Sequence, residues 1–211
     1  MKNKPHHFFK HFRIICITAV LVFFASGCAD DGEDGDAGRD GYDCECIPDT
    51  SQVRQGVFLD SAVEGLEYES GDQFGVTDEY GGFWYEPGKT VTFRIGDILL
   101  GEAFANPEMT PLDLVKGADT YTHPTVTNMI RFLQTLDDDL NPDNGIRIPE
   151  GAGYGETIDF NSASEDFEAE AEPLVDDLFS DQRDLVPTDE AQQHFRLTLL
   201  FVPGSEIDLS T

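Results

Sequence analysis

The sequence predicts an α+β protein in which an antiparallel β-sandwich over residues 51–106 precedes a mainly helical part over 107–211. Two patterns carry that expectation. Apolar residues alternate with a period of two between Val53 and Phe104, and after Pro124 they recur at spacings of three and four. A third pattern sets apart a secretory segment, 1–27, and an acidic tether, 28–50, ahead of the folded part.

Lys2, Lys4, Lys10 and Arg13 give a positive start, residues 14–25 carry no charge, and the small residues Ala25, Ser26 and Gly27 lead to Cys28. That is the order of a secretory signal. A spanning helix needs about 20 apolar residues, so the run is too short to stay as a membrane anchor. The Ala-Ser-Gly-Cys ending resembles the bacterial lipobox, which implies cleavage before Cys28, lipidation of that cysteine and attachment to a membrane through the lipid. The next residue is Ala29, not aspartate, a pattern that resembles lipoproteins sent to the outer membrane, on its periplasmic or surface side.

The whole chain has thirteen basic and forty-two acidic residues and a formal charge of −29. Removing residues 1–27 takes away four basic residues and no acidic one, so nine face forty-two and the net charge becomes −33. Such a field repels nucleic acid and anionic lipid headgroups and favours cations and basic proteins. Residues 29–50 are rich in Asp, Glu and Gly and lack large apolar side chains, so they read as an acidic spacer. Gly32, Gly35, Gly38 and Gly41 recur every third residue, but four triplets without proline do not hold a collagen helix. Within the spacer, Cys44 and Cys46 are expected to form a local disulfide or a bond to a partner in an oxidising compartment. Two thiolates fall short of a four-ligand zinc site.

The strands follow. Val57 and Leu59 alternate with Phe58 and Asp60, then come Val63, Leu66 and Tyr68, then Phe74 and Val76. The segment 77–82 is a turn before Phe83-Trp84-Tyr85, Pro87-Gly88 is another before Val91, Phe93 and Ile95, and Gly96-Asp97 precedes Ile98-Leu99-Leu100. Trp84 is expected to pack in or over this sheet, and Phe74, Tyr80 and Tyr85 to pack in the core; the alternative for all four is an exposed aromatic surface that binds glycans or proteins. The run from Gly56 to Gly65, Thr77-Asp78 with Gly81 or Gly82 and Phe83, and Pro87-Gly88 together resemble the prealbumin-like β-sandwich module, an immunoglobulin-like arrangement that includes carboxypeptidase regulatory-like domains. The block from there through Thr110-Pro111-Leu112 to Leu133-Gln134-Thr135-Leu136 is similar to repeats in Gram-negative envelope lipoproteins. The resemblance implies a structural or adhesive role and no activity.

Beyond Pro124, the residues Val126, Met129, Ile130, Leu133 and Leu136 define one helix face, with Thr125 as its N-cap. Ser162 and Glu165 fit a capping box for a second helix, Pro173 opens a third, and Ala191, Phe195 and Leu199 share a face of the last. Between helices, residues 137–150 offer oxygens in a calcium-loop frame. Counted from Asp139, they fall at positions 1, 3 and 5 (Asp139, Asn141, Asp143), with Ile146 at 8 and Glu150 at 12. Asn144 stands where the loop's glycine belongs, and Pro149 argues against an exit helix. A second frame starts at Asp137 and uses Asp139 and Asn141; the alternative to a calcium loop is a helix C-terminus followed by an Asn-Pro-Asp-Asn-Gly turn. The candidate calcium ligands are thus Asp137, Asp139, Asn141, Asp143 and Glu150.

No Gly-x-Ser-x-Gly, His-Glu-x-x-His, phosphate-loop or dinucleotide motif is present. His123 reads as a turn or cap at a helix entrance, and His194 as a solvent-facing helix residue. The expected function is therefore a non-enzymatic, lipid-anchored envelope module that binds an envelope protein or glycan. The alternative is a carbohydrate hydrolase using paired carboxylates. Cys28→Ser is expected to abolish labelling by radioactive palmitate in a bacterial host; undiminished labelling would place the lipid elsewhere.

Overall fold

The computed structural model describes residues 52–180 and 183–202; the signal segment, Cys28, the tether, Cys44 and Cys46 lie outside the described residues. The chain begins there with strands β1 (Arg54–Phe58), β2 (Val63–Glu64), β3 (Glu67–Ser70) and β4 (Gln73–Val76). Strands β5 (Gly82–Tyr85), β6 (Thr90–Ile95), β7 (Ile98–Phe104) and β8 (Glu108–Met109) follow. Next are helices α1 (Pro111–Leu114) and α2 (Pro124–Thr135), a 3-10 turn (Pro142–Asn144), β9 (Ile146–Arg147), α3 (Ser164–Leu178) and α4 (Thr188–Leu199). The architecture is α+β, as the two periodicities predict.

One sheet has the order β5-β1-β8, a second β4-β3-β6-β7, and β2 pairs with β9. The hairpin pairings are antiparallel, but β1–β8 and β2–β9 are parallel. The expectation of purely antiparallel pairing fails there for a simple reason. Strands two residues long show no alternation to read, and parallel pairing needs a long crossover that a local pattern cannot reveal.

Aromatic rings from the two larger sheets meet in the core. Phe58 of β1 lies 4.6 Å from Phe93 of β6, and Phe83 of β5 lies 5.1 Å from Phe93 and 5.9 Å from Tyr68 of β3. Such tilted and edge-on pairs add roughly 0.5–1.5 kcal/mol each beyond the area they bury. The turn before β5 explains its own sequence. Thr77 Oγ1 donates to the Val63 carbonyl (2.6 Å) and accepts the Leu66 N–H (2.9 Å), while Asp78 Oδ1 accepts the Tyr80 and Gly82 N–H groups. Gly81 adopts φ 74°, and a Cβ there would stand 2.5 Å from the Phe58 carbonyl oxygen. Only glycine fits.

Trp84 does not pack into the core. Its neighbours Phe83 and Tyr85 are buried, while Trp84 is half exposed and Phe74 (81%) and Tyr80 (70%) face solvent. Phe74 sits on the outer parity of edge strand β4, which no described residue covers on that side.

Helix α2 is buried from Thr125 to Thr135. Met129, Phe132 and Leu133 join the core of the sheets, and Val126 and Ile130 join a second cluster with Ala191, Phe195 and Leu199 of α4. The helix starts two residues earlier than expected, at Pro124, with His123 in the cap position and Thr125 inside. Proline at the first helical position loses only an N–H that would have no partner. A single helix, α3, replaces the two expected around Pro173. Its face of Phe167, Ala171, Leu174 and Val175 stays buried across the proline, so packing outweighs the lost hydrogen bond to the Ala169 carbonyl. Among the described residues no helix is long and apolar enough to cross a membrane.

Phe93→Ala removes the ring that both Phe58 and Phe83 touch. Denaturant unfolding of the variant is expected to show a loss of about 3–5 kcal/mol.

Candidate functional site

Where α2 ends, the chain turns through residues 136–147 and returns to the sheets as β9. Asp137 is buried at the helix end and organises that return. Its Oδ2 accepts the Asn141 N–H (2.8 Å) and its Oδ1 the Arg147 N–H (3.0 Å). Asp139 Oδ1 also accepts the Asn141 N–H (3.0 Å), and its Oδ2 accepts the Asn144 side-chain amide (3.0 Å). Carboxylate oxygens of Asp137, Asp138 and Asp139 lie within 4.8 Å of one another. Burial raises the Asp137 carboxyl above its usual value, whereas the Asn144 amide holds that of Asp139 below it.

The expected calcium ligands are therefore divided. Asp137 and Asp139 come together with Asp138, and Asn141 contributes its backbone N–H to both. Asp143 faces the ring of His194 instead, with Oδ1 3.4 Å from Nδ1, and Glu150 lies beyond β9 on the wall of a cavity. A strand, not an exit helix, follows the loop. Three carboxylates suit a hard divalent cation, and each oxygen that accepts one N–H keeps a lone pair to offer.

The cavity adjoins this loop. It has a volume of about 670 Å³ between the β2–β9 pair, the β6–β7 hairpin and residues 148–154. Glu64, Glu67, Asp138 and Glu150 line it, with Arg147 and Tyr154. Arg147 pairs with Glu64 (2.8 Å) and Asp138 (3.4 Å), and Tyr154 donates to Glu67 (2.6 Å). Four carboxylates thus face one guanidinium. The apolar part of the wall comes from Val76, Ile95 and Pro149.

On the other side of the loop is a group that the sequence reading did not single out. The turn joining β1 to β2 consists of Asp60 and Ser61, closed by a bridge between Leu59 and Ala62. Asp60 is fully buried, and Gln134 of α2 donates its Nε2 to Oδ1 (3.2 Å) and Oδ2 (3.0 Å). Burial pushes the Asp60 carboxyl up to about 8, although the Gln134 bond pulls the other way. His194 of α4 stands over the turn. Its Nε2 is 3.1 Å from Ser61 Oγ and 3.9 Å from Asp60 Oδ1. The ring is only 12% exposed, contrary to the solvent-facing place expected for it, and burial lowers its affinity for a proton. The legible signals were Asp60 on the same strand parity as Phe58 and Gln134 beside Leu133 on a buried helix. The meeting with His194 was not legible, because it joins positions 133 or more residues apart.

The two buried groups act on stability in opposite directions. The folded chain holds the Asp60 proton up to about pH 8, whereas an unfolded chain releases it near 3.8. This contribution is therefore full below 3.8 and is lost progressively as pH rises through 8. His194 is depressed below 6.5, so its contribution is present above 6.5 and is lost as pH falls through its folded value. Between pH 6.5 and 8 only the Asp60 trend is felt of the two. Melting temperature is expected to fall across that window, and Asp60→Asn to flatten the fall; thermal melts at constant ionic strength check this.

No protein-family model, curated protein or solved structure matches the chain.

Proposed function

We propose that this chain is a lipid-anchored protein of the bacterial outer membrane. It works as a structural or adhesive binding module on a prealbumin-like β-sandwich, and its acidic cavity receives cationic groups of an envelope partner. The observation that carries this reading is the excess of carboxylates over guanidinium in a cavity of about 670 Å³, on a chain of formal charge −29. Lysine or arginine side chains of a basic protein match that lining. The approach of such a partner is steered by the charge of the whole molecule. The Asp137–Asp139 group takes calcium, in the affinity range of extracellular modules, about 10⁻⁴–10⁻³ M. Asp138 belongs both to that group and to the cavity wall, so an ordered loop presents an ordered wall.

Calorimetry with the purified chain tests both parts. A pentalysine peptide is expected to give saturable heat that declines with salt. Glu64→Gln with Glu67→Gln removes two exposed pairings of about 0.2–1 kcal/mol each, so affinity drops by roughly two- to thirtyfold. Calcium heat is expected to vanish in Asp139→Asn. Absence of peptide heat would refute the cavity reading, and absence of calcium heat would leave the acidic loop a plain turn.

A further inference from the structure

We propose that Ser61 is a nucleophilic serine, with His194 as its general base and Asp143 as the residue that positions the base, and that it takes acyl groups from small carboxylic esters. Three elements distant in sequence supply the three side chains: the β1–β2 turn, the 3-10 turn Pro142–Asn144 and α4. The contacts run in series, Ser61 Oγ to His194 Nε2 at 3.1 Å and His194 Nδ1 to Asp143 Oδ1 at 3.4 Å. That order selects the tautomer with its proton on Nδ1, facing the carboxylate, which leaves Nε2 free to accept from the hydroxyl. Burial keeps the imidazole neutral, as a general base needs. Asp143 and Asp137 act on it through their charge, and Asp60 through a backbone hydrogen bond.

The backbone at Ser61 supports this assignment. Its φ is 58°, in the left-handed region that non-glycine residues seldom occupy, so the turn holds the hydroxyl in a strained presentation. The Ser61 N–H donates to Thr198 Oγ1 (3.2 Å), one helical turn beyond His194, so nucleophile and base are held by the same helix. Ser61 is partly exposed and Asp143 is 85% exposed, which leaves the approach open to small solutes.

In the reaction, Ser61 Oγ bonds to the ester carbonyl carbon as the bond to the leaving alcohol breaks. His194 Nε2 takes the hydroxyl proton and passes it to the departing oxygen. Water then attacks the acyl-serine, His194 takes its proton and returns it to Ser61 Oγ, and a carboxylic acid is released. Ester and water thus become acid and alcohol. Because the Ser61 N–H is engaged by Thr198, that donor is not ready for the developing oxyanion, and turnover is slow. Covalent capture is therefore the suitable readout.

The full chain is treated with a fluorophosphonate, in which the Ser61 Oγ–P bond forms as P–F breaks and His194 takes the proton. Peptide mapping by mass spectrometry locates the adduct. One adduct on the Ser61 peptide is expected, absent in Ser61→Ala and formed roughly a hundredfold more slowly in His194→Gln. The rate should rise with pH through the depressed His194 titration, and Asp143→Asn should slow it about tenfold and move the midpoint lower. No adduct on a chain that melts as a folded protein would overturn the proposal, as would an adduct at another residue. If His194→Gln does not fold, the exposed Asp143→Asn decides: an unchanged rate and pH profile would overturn it.

Discussion

A carboxyl group with no solvent contact must find hydrogen bonds inside the protein, and for Asp60 the donor among the described residues is a glutamine on another element. Gln134 reaches it from the last turn of α2 and also donates to the Ala191 carbonyl of α4 (3.3 Å). One polar contact thereby joins the first hairpin, the central helix and the last helix. Leaving any member unpaired would cost on the order of 1–3 kcal/mol, so the three elements are held to one mutual arrangement. Every feature of the site inherits its position from that arrangement. Ser61 follows Asp60 in the turn, His194 lies on the helix that Gln134 touches, and the acidic loop starts two residues beyond Thr135.

The acidic loop then acts as a hinge between two chemistries. Asp137 and Asp139 spend their oxygens on N–H groups of the loop itself, which shapes the chain into β9. Asp138 turns to the cavity with Arg147, and Asp143 turns to His194. The negative charge that dominates the composition is therefore sorted by the backbone into structural, cavity-facing and histidine-facing groups. A buried guanidinium answers it on the far side of α2. Arg131 pairs with Glu168 (2.7 Å) and donates to the Val186 carbonyl (2.8 Å), fixing the segment that leads into α4.

The α+β class and the helix faces could be read from sequence because they rest on local periodicity. Ala191, Phe195 and Leu199 are all buried, as their spacing predicts. The acidic cluster could be read in part, since Asp137 and Asp139 are near neighbours in the chain, but the side chains of Asp143 and Glu150 point where the loop path sends them. The path is fixed by the parallel pairing of Val63 with Ile146, which no local pattern encodes. The same limit hid the Ser61–His194 contact and the buried state of His194. Phe74 and Tyr80 are exposed for different reasons. Phe74 lies on the outward parity of strand β4, which an aromatic residue alone does not reveal, and Tyr80 stands in the turn between β4 and β5.

The parallel pairings have a consequence for how the molecule is made. A chain emerging N-terminus first presents β1 and β2 long before their partners, because β8 lies about fifty residues after β1 and β9 about eighty residues after β2. Local hairpins can close early, but the first two strands keep open edges, and Asp60 has no glutamine, until most of the chain has appeared. Contacts of such long separation are slow to form. The fold is completed only once its late parts have appeared.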